Sequence, residues 1–227
     1  AATSLSAIKR LAVVYRAGCH FGDDTTEGAP PAYTFSDAAV YNEAMLFCLS
    51  ALPQHFLDFL GVTADECRTL PAGKWRKISL IVKSFLGNTL HFLQQLTETR
   101  MTCFVLRALH PVLPLMQSLA SVAHKYLKVL LGLWSSGEEA SRILAFVNIQ
   151  RMAMTLPYPF IENCLKSLYL TYVRSSRFVT HASVPMIRFM RNCMVELFSM
   201  DFVAAYQVAF SCIRQLAAHL RTGLSAQ

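Results

Sequence analysis

Residues 130–142 read "LLGLWSSGEEASR". The stretch is either a reactive or phosphate-cradling loop or the punctuation between two helices, and the choice separates an enzyme from a scaffold. Ser135 stands three residues before Glu138, and Ser136 three before Glu139. Both match S-x-x-E, in which the serine hydroxyl accepts an orphan backbone N–H and the glutamate reaches back to the cap. Adjacent glutamates also suit the positive end of a helix dipole. A nucleophile elbow would need G-x-S-x-G after a strand, and a phosphate loop would need G-x4-G-K. Neither pattern is present. The stretch therefore predicts one helix ending near Trp134 and another over 137–156, before Pro157 and Pro159.

Working outward, nearly every segment has helical rather than alternating periodicity. A first helix is expected over about 4–17, ending at Gly18. The Gly-, Asp-, Thr- and Pro-rich run 18–34, "GCHFGDDTTEGAPPAYT", reads as a mobile loop. Ser36 is placed to cap a helix to about 51, and Pro53 to open another that ends at Gly61. From 73 to about 96, Ile78, Val82, Phe85, Thr89, Phe92 and Leu96 form one stripe, widened by Ile81, Leu86, Leu90 and Leu93. So broad a stripe implies contact on two sides. Thr97 opens a helix to about 109, where Pro111 and Pro114 interrupt it. Further helices are expected over 119–134, 160–174, 184–199 and 202–222. Ser183 and Asp201 fit as N-caps, Pro185 fits a first turn, and Gly223 fits a C-terminal cap. Eight to ten helices without a strand predict an all-α fold. Short connectors between them suggest a right-handed α-solenoid of irregular HEAT- or armadillo-like helical pairs. The whole of 1–227 reads as a single helical-repeat domain, expected to be a fragment of a longer protein.

Composition narrows the function classes. Hydrophobic residues make up 54% of the chain and charged residues 15%. A membrane span needs about 20 nearly uninterrupted apolar residues. The best stretch, 78–96, carries Lys83, Asn88, His91 and two glutamines, so no span is expected. The excess apolarity then points to helices buried on several sides, or to a face that a partner covers. Seven cysteines, widely spaced and without a CxxC, read as buried, reduced thiols of an intracellular protein. Cys19-His20 has no second pair to complete a zinc site, and the seven histidines lack metalloprotease spacing. Asp23-Asp24 reads as a solvated turn. No catalytic residue, cofactor or metal is expected.

Charge is distributed unevenly. Residues 1–66 hold three Lys/Arg against eight Asp/Glu, a net of −5, whereas 67–227 hold eighteen against six, a net of +12. A basic later portion favours RNA, DNA or acidic protein segments. Within it, Arg174 and Arg177 flank a turn, and Arg188 and Arg191 lie three apart on one helix, sharing a face. Lys74, Arg76 and Lys77 surround Trp75 at a helix start. Gln207, Arg214 and Arg221 repeat every seven residues, opposite Phe202, Tyr206, Phe210, Ile213 and Leu220. These groups are the candidate contacts to RNA or a partner. The bland alternative is a solvated face with internal pairs such as Arg191 with Glu196.

Four blocks in order carry a family resemblance: "WRKISLIVKSFLGNTLHFLQQLTE" (75–98), "LLGLWSSGEEASRILAFVNIQRMA" (130–153), "LKSLYLTYVRSSRFVTHASVPMIRFMRNCMVELFSMD" (165–201) and "AYQVAFSCIRQLAAHLR" (205–221). They resemble the nucleolar complex protein 2 family, well over 70–222 and more weakly at 36–53. The resemblance implies a non-enzymatic scaffold of large ribosomal subunit biogenesis in the nucleolus and nucleus, acting on pre-60S particles and rRNA processing. It implies an obligate heterodimer with another nucleolar complex protein, and contact with pre-ribosomal RNA and ribosomal proteins. The alternative it leaves is a chromatin-associated transcriptional corepressor that binds histones.

Overall fold

The computed structural model describes residues 4–23, 33–63, 70–177 and 179–225, with side chains described to residue 214. Among these residues the helical periodicity becomes nine α-helices and no strand. They are α1 (Leu5–Cys19), α2 (Ala38–Leu60), α3 (Ala72–Gln95), α4 (Thr99–Leu109), α5 (Ala120–Ser136), α6 (Glu139–Thr155), α7 (Phe160–Ser175), α8 (Val184–Phe198) and α9 (Phe202–Ser225). No helix among them is long and apolar enough to cross a membrane. Of the expected 18–34 loop, Gly18 and Cys19 finish α1 and residues 20–23 form a turn, while 24–32 lie outside the described residues.

Two rows organise the helices. In one, α1 packs on α3, α3 on α5, α5 on α7 and α7 on α9. In the other, α2 packs on α4 and α4 on α6. The pairs α1–α2, α5–α6 and α7–α8 join the rows. The broad stripe of α3 is the sequence cause of this arrangement. Ile78, Val82, Phe85, Thr89 and Phe92 are buried, and so are Leu86, Leu90 and Leu93 on its flank. Where the stripe meets α1, the Tyr15 and Phe85 ring centroids lie 5.0 Å apart, and Phe56 of α2 meets Phe85 at 5.4 Å. Thr89 donates its hydroxyl to Phe85 O at 2.8 Å, so the buried Tyr15 hydroxyl donates to Thr89 Oγ1 at 2.9 Å. A polar pair buried this deeply is stable because both members are bonded.

Several boundaries differ from the sequence reading. The helix that the stretch 130–142 ends runs through both serines to Ser136, and the next begins at Glu139. Ser135 and Ser136 donate to Gly132 O at 3.0 and 2.9 Å. They thus add side-chain bonds to a carbonyl in the last turns of the preceding helix instead of capping the N–H groups of the following one. A serine hydroxyl in a last turn has a carbonyl three or four residues back within reach, and that local bond wins over the capping box. Glu138 takes the N-cap position without a side-chain cap bond, and Arg142 ties the turn by donating to Gly137 O at 2.7 Å. Trp134, fully buried, lies against Cys193 of α8.

Pro53 does not open a helix. It lies buried inside the continuous α2, which Asp37, not Ser36, caps by accepting from Ala39 N at 3.3 Å. The interruption expected at Pro111 and Pro114 is found: α4 ends at Leu109, and both prolines lie in the 3₁₀ segment His110–Ser118 that follows. Ser183 bonds back to Thr180 and leaves α8 uncapped by a side chain. Gly223 lies within α9. The expectations for Gly61 and Asp201 hold: Gly61 adopts φ 71° at the end of α2, and Asp201 accepts from Val203 N and Ala204 N at 3.0 Å.

Two substitutions test this frame by chemical denaturation. Trp134→Ala is expected to cost about 3–5 kcal/mol, the usual loss for a buried aromatic. At Gly137 an added Cβ would lie 2.4 Å from Leu133 O and 2.7 Å from Ser141 Oγ. Gly137→Ala is therefore expected to destabilise by about 1–3 kcal/mol, as overpacking does.

Candidate interaction surfaces

Helix α7 carries a surface on each of two sides. On one, Arg174 in its last turn shares a groove of about 540 Å³ with His124 and Lys128 of α5, Ser135 and Thr171. A guanidinium there lies near the negative end of the α7 dipole, which favours its charge. Arg177 follows, exposed, in the connector to α8. Arg188 and Arg191 are exposed on α8 beside Val195, opposite the buried Met190, Cys193 and Leu197. Glu196 does not pair with Arg191; it accepts from Gln150 Nε2 of α6 at 2.8 Å. Among the described residues no carboxylate pairs with Arg174, Arg188 or Arg191.

The remaining sequence candidates are placed elsewhere. Lys74 donates its ammonium to Leu60 O at 3.1 Å, closing the C-terminus of α2, so it serves the fold itself. Arg76 and Lys77 are exposed in the first turns of α3, two helices back along the row, with Trp75 half-buried between them. Arg214 is exposed on α9, and the Arg221 side chain lies outside the described residues. The sequence reading missed Lys128 and His124. Their spacing of four on one helix was the available signal, but only the packing of α5 on α7 brings them to Arg174.

On the other side of α7 lies an apolar groove of about 750 Å³ between α8 and α9. Because Val195 lines it, Arg191 and Arg188, one and two turns back on the same face, stand next to this groove and not to that of Arg174. Tyr169, Met194, Phe198, Phe202, Tyr206 and Ile213 line it. Helix α9 buries its small residues Ala204, Ala205 and Val208 and leaves its large ones bare, with Phe202 77% and Tyr206 72% exposed. Small residues on the packed face let α9 approach α7 closely, at the expense of leaving aromatic area in water.

Four buried thiols are held in their unreactive protonated form. Burial pushes Cys19 and Cys164 up to about 12, and Cys48 and Cys193 to about 11, so each stays protonated near neutrality. Cys67 lies outside the described residues. Asp23, expected in a solvated turn, is instead bonded to His20, His91 and Gln95.

The profile of the Noc2p family matches residues 159–227, the span from the start of α7 through α9. Over 230 residues the chain is 32% identical to nucleolar complex-associated protein 2 of Arabidopsis thaliana, covering 98% of this chain and 30% of that protein. It is 31% identical over 215 residues to nucleolar complex protein 2 of Drosophila melanogaster, covering 94% and 28%. The chain belongs to the Noc2p family. A further member-like relative, Protein REBELOTE of Arabidopsis thaliana, is 27% identical over 228 residues, covering 97% of this chain and 38% of that one. The chain thus spans about a third of the length of these Noc2p relatives. The profile match includes Arg174, Arg177, Arg188, Arg191 and most of the apolar groove lining.

Because Phe202 and Tyr206 touch mainly solvent, the double substitution Phe202→Asp with Tyr206→Asp is expected to change folding stability by no more than about 0.5 kcal/mol per site. Binding of an apolar dye to the chain should fall in parallel. Val208→Asp, which buries a charge against α7, should unfold the same helix.

Proposed function

We propose that this region is a scaffold of large ribosomal subunit assembly, built as a right-handed HEAT-like α-solenoid and performing no catalysis. The two-row packing supports the solenoid, since alternate helices contact one another along each row. The apolar groove between α8 and α9 is the observation that carries the reading. Its exposed aromatics are the anchor type that dominates protein interfaces, and its shape suits the apolar face of a partner helix. The partner proposed is another nucleolar complex protein, held as an obligate heterodimer. The relatives' names support a place in the nucleolus and nucleus.

The basic side supplies a different contact. Arg174, Arg188 and Arg191 are exposed and have no carboxylate partner among the described residues, and Arg177 is exposed in the connector between α7 and α8. Exposed guanidinium groups bind phosphates by releasing counterions. Pre-ribosomal RNA within pre-60S particles, with its ribosomal proteins, is the ligand we assign to them. Histone tails are a poorer match, because a basic tail needs an acidic surface and α7–α8 offers arginines.

Replacing Arg174, Arg177, Arg188 and Arg191 by glutamate should lower affinity for precursor rRNA while the circular dichroism spectrum stays unchanged. The slope of log affinity against log salt should flatten by about 3, the value for four lost contacts on single strands. Unchanged sedimentation of the variant with precursor particles would refute the RNA assignment.

A further inference from the structure

His20, Asp23 and His91 converge although the sequence gives them no metal-ligand spacing. His20 follows the last turn of α1, and Gly22, at φ 96°, folds the chain back so that Asp23 faces His20. His91 comes from α3, on the same face as Asn88 and Gln95. His20 Nδ1 lies 2.7 Å from Asp23 Oδ2, and His91 Nε2 lies 3.0 Å from the same oxygen. The two imidazoles stack at 4.5 Å with 20° between their planes.

The hydrogen count makes this cluster unusual. His20 Nε2 faces Asn88 Oδ1 at 3.3 Å, and Nδ1 faces the Asp23 carboxylate, so both ring nitrogens point at acceptors. A neutral imidazole has one N–H and cannot serve both. His91 Nε2 is in the opposite difficulty, set between an acceptor, Asp23 Oδ2, and a donor, Gln95 Nε2, at 3.1 Å. A second proton on His20 would satisfy both its acceptors but would stack an imidazolium on the His91 ring and leave His91 Nε2 between an acceptor and a donor. A cation seated among Nδ1, Nε2 and Oδ2 lets both rings stay neutral. Asn88 then accepts from the outer N–H of His20, and Gln95 donates to Asp23 Oδ1 at 3.1 Å, the outer bonds that orient metal ligands.

We propose that His20 Nδ1, His91 Nε2 and Asp23 Oδ2 bind one divalent transition-metal ion of the Zn²⁺ type, with water completing the tetrahedron. Bonds of about 2.0–2.1 Å to a tetrahedral ion put neighbouring ligand atoms about 3.3 Å apart. The three ligand atoms already lie within 4.8 Å of one another, and the separations of 2.7 and 3.0 Å would need to open by about 0.6 and 0.3 Å. Two imidazoles and one carboxylate select a Zn²⁺-like ion over Mg²⁺ or Ca²⁺, which prefer all-oxygen sites. The side chains of His20, Asp23 and His91 are 41%, 33% and 35% exposed, leaving the cluster open to solvent. The ion would clamp the chain leaving α1 onto α3.

The test titrates Zn²⁺ into the chain at neutral pH by calorimetry and Co²⁺ by visible absorption. His20→Ala, His91→Ala, Asp23→Asn and Asn88→Ala are run in parallel, with His181→Ala as an exposed control. One Zn²⁺ per chain is expected, with a tetrahedral Co²⁺ spectrum. Affinity should weaken at least tenfold in the three ligand variants, by about tenfold for Asn88→Ala, and not at all for His181→Ala. Asp23→Asn keeps the turn's shape, so its loss of binding with an unchanged circular dichroism spectrum separates ligation from folding. Zn²⁺ affinity in His20→Ala and His91→Ala equal to that of the unsubstituted chain would place the ion elsewhere, on a cysteine for example, and overturn the proposal. An intact chain that takes up no Zn²⁺ at neutral pH would overturn it too, leaving a proton-bridged clasp.

Discussion

A helix whose apolar stripe is broader than one neighbour can cover must pack against several, and this constraint shapes the whole protein. Helices α3 and α5 are such helices, and each lies between two others of the same row while also meeting the second row. The buried Tyr15–Phe85–Phe56 cluster serves the first part of the row, and Trp134 with its neighbours serves the later part. Burial at roughly 25 cal/mol per Å² of apolar area makes each such contact worth several kcal/mol gross. At α9 the same logic is left incomplete. Its inner face is covered by α7, but Phe202, Tyr206, Phe210 and Ile213 remain in water. The apolar groove is the point in the described structure where the rule that built the core has no partner to act on.

Much of this was legible in residue spacing, because helix periodicity is a local property. The stripe of α3, the Gly61 terminus and the Asp201 cap could each be read from a few neighbours in the chain. Errors arose where two local solutions compete. Ser135 and Ser136 can cap forward or bond backward, and the backward carbonyl was nearer. Pro53 can open a helix or sit inside one, and burial of its surroundings kept α2 continuous.

The site chemistry was less legible, for a different reason. That Arg188 and Arg191 share a face follows from their spacing, but that Lys128 and Arg174 share a groove depends on α5 packing against α7. Likewise the three residues of the His20–Asp23–His91 cluster are brought together by a turn and a helix 68 residues apart in sequence. The exposure of the α9 aromatics could not be read from their spacing either, since a stripe looks the same whether it faces a core or a groove. Even so, the stretch 130–142 kept its value: it marks a junction between helices and contains no reactive loop.

The central claim is that the α8–α9 groove is a seat for a partner helix in a nucleolar assembly. Hydroxyl-radical footprinting of the free chain and of the same chain within purified precursor particles tests it most directly. Phe202, Tyr206 and Phe210 are predicted to be readily oxidised in the free chain and strongly protected in the particle, while the exposed Val13 of α1 changes little. Equal oxidation of the three aromatics in both states would contradict the account.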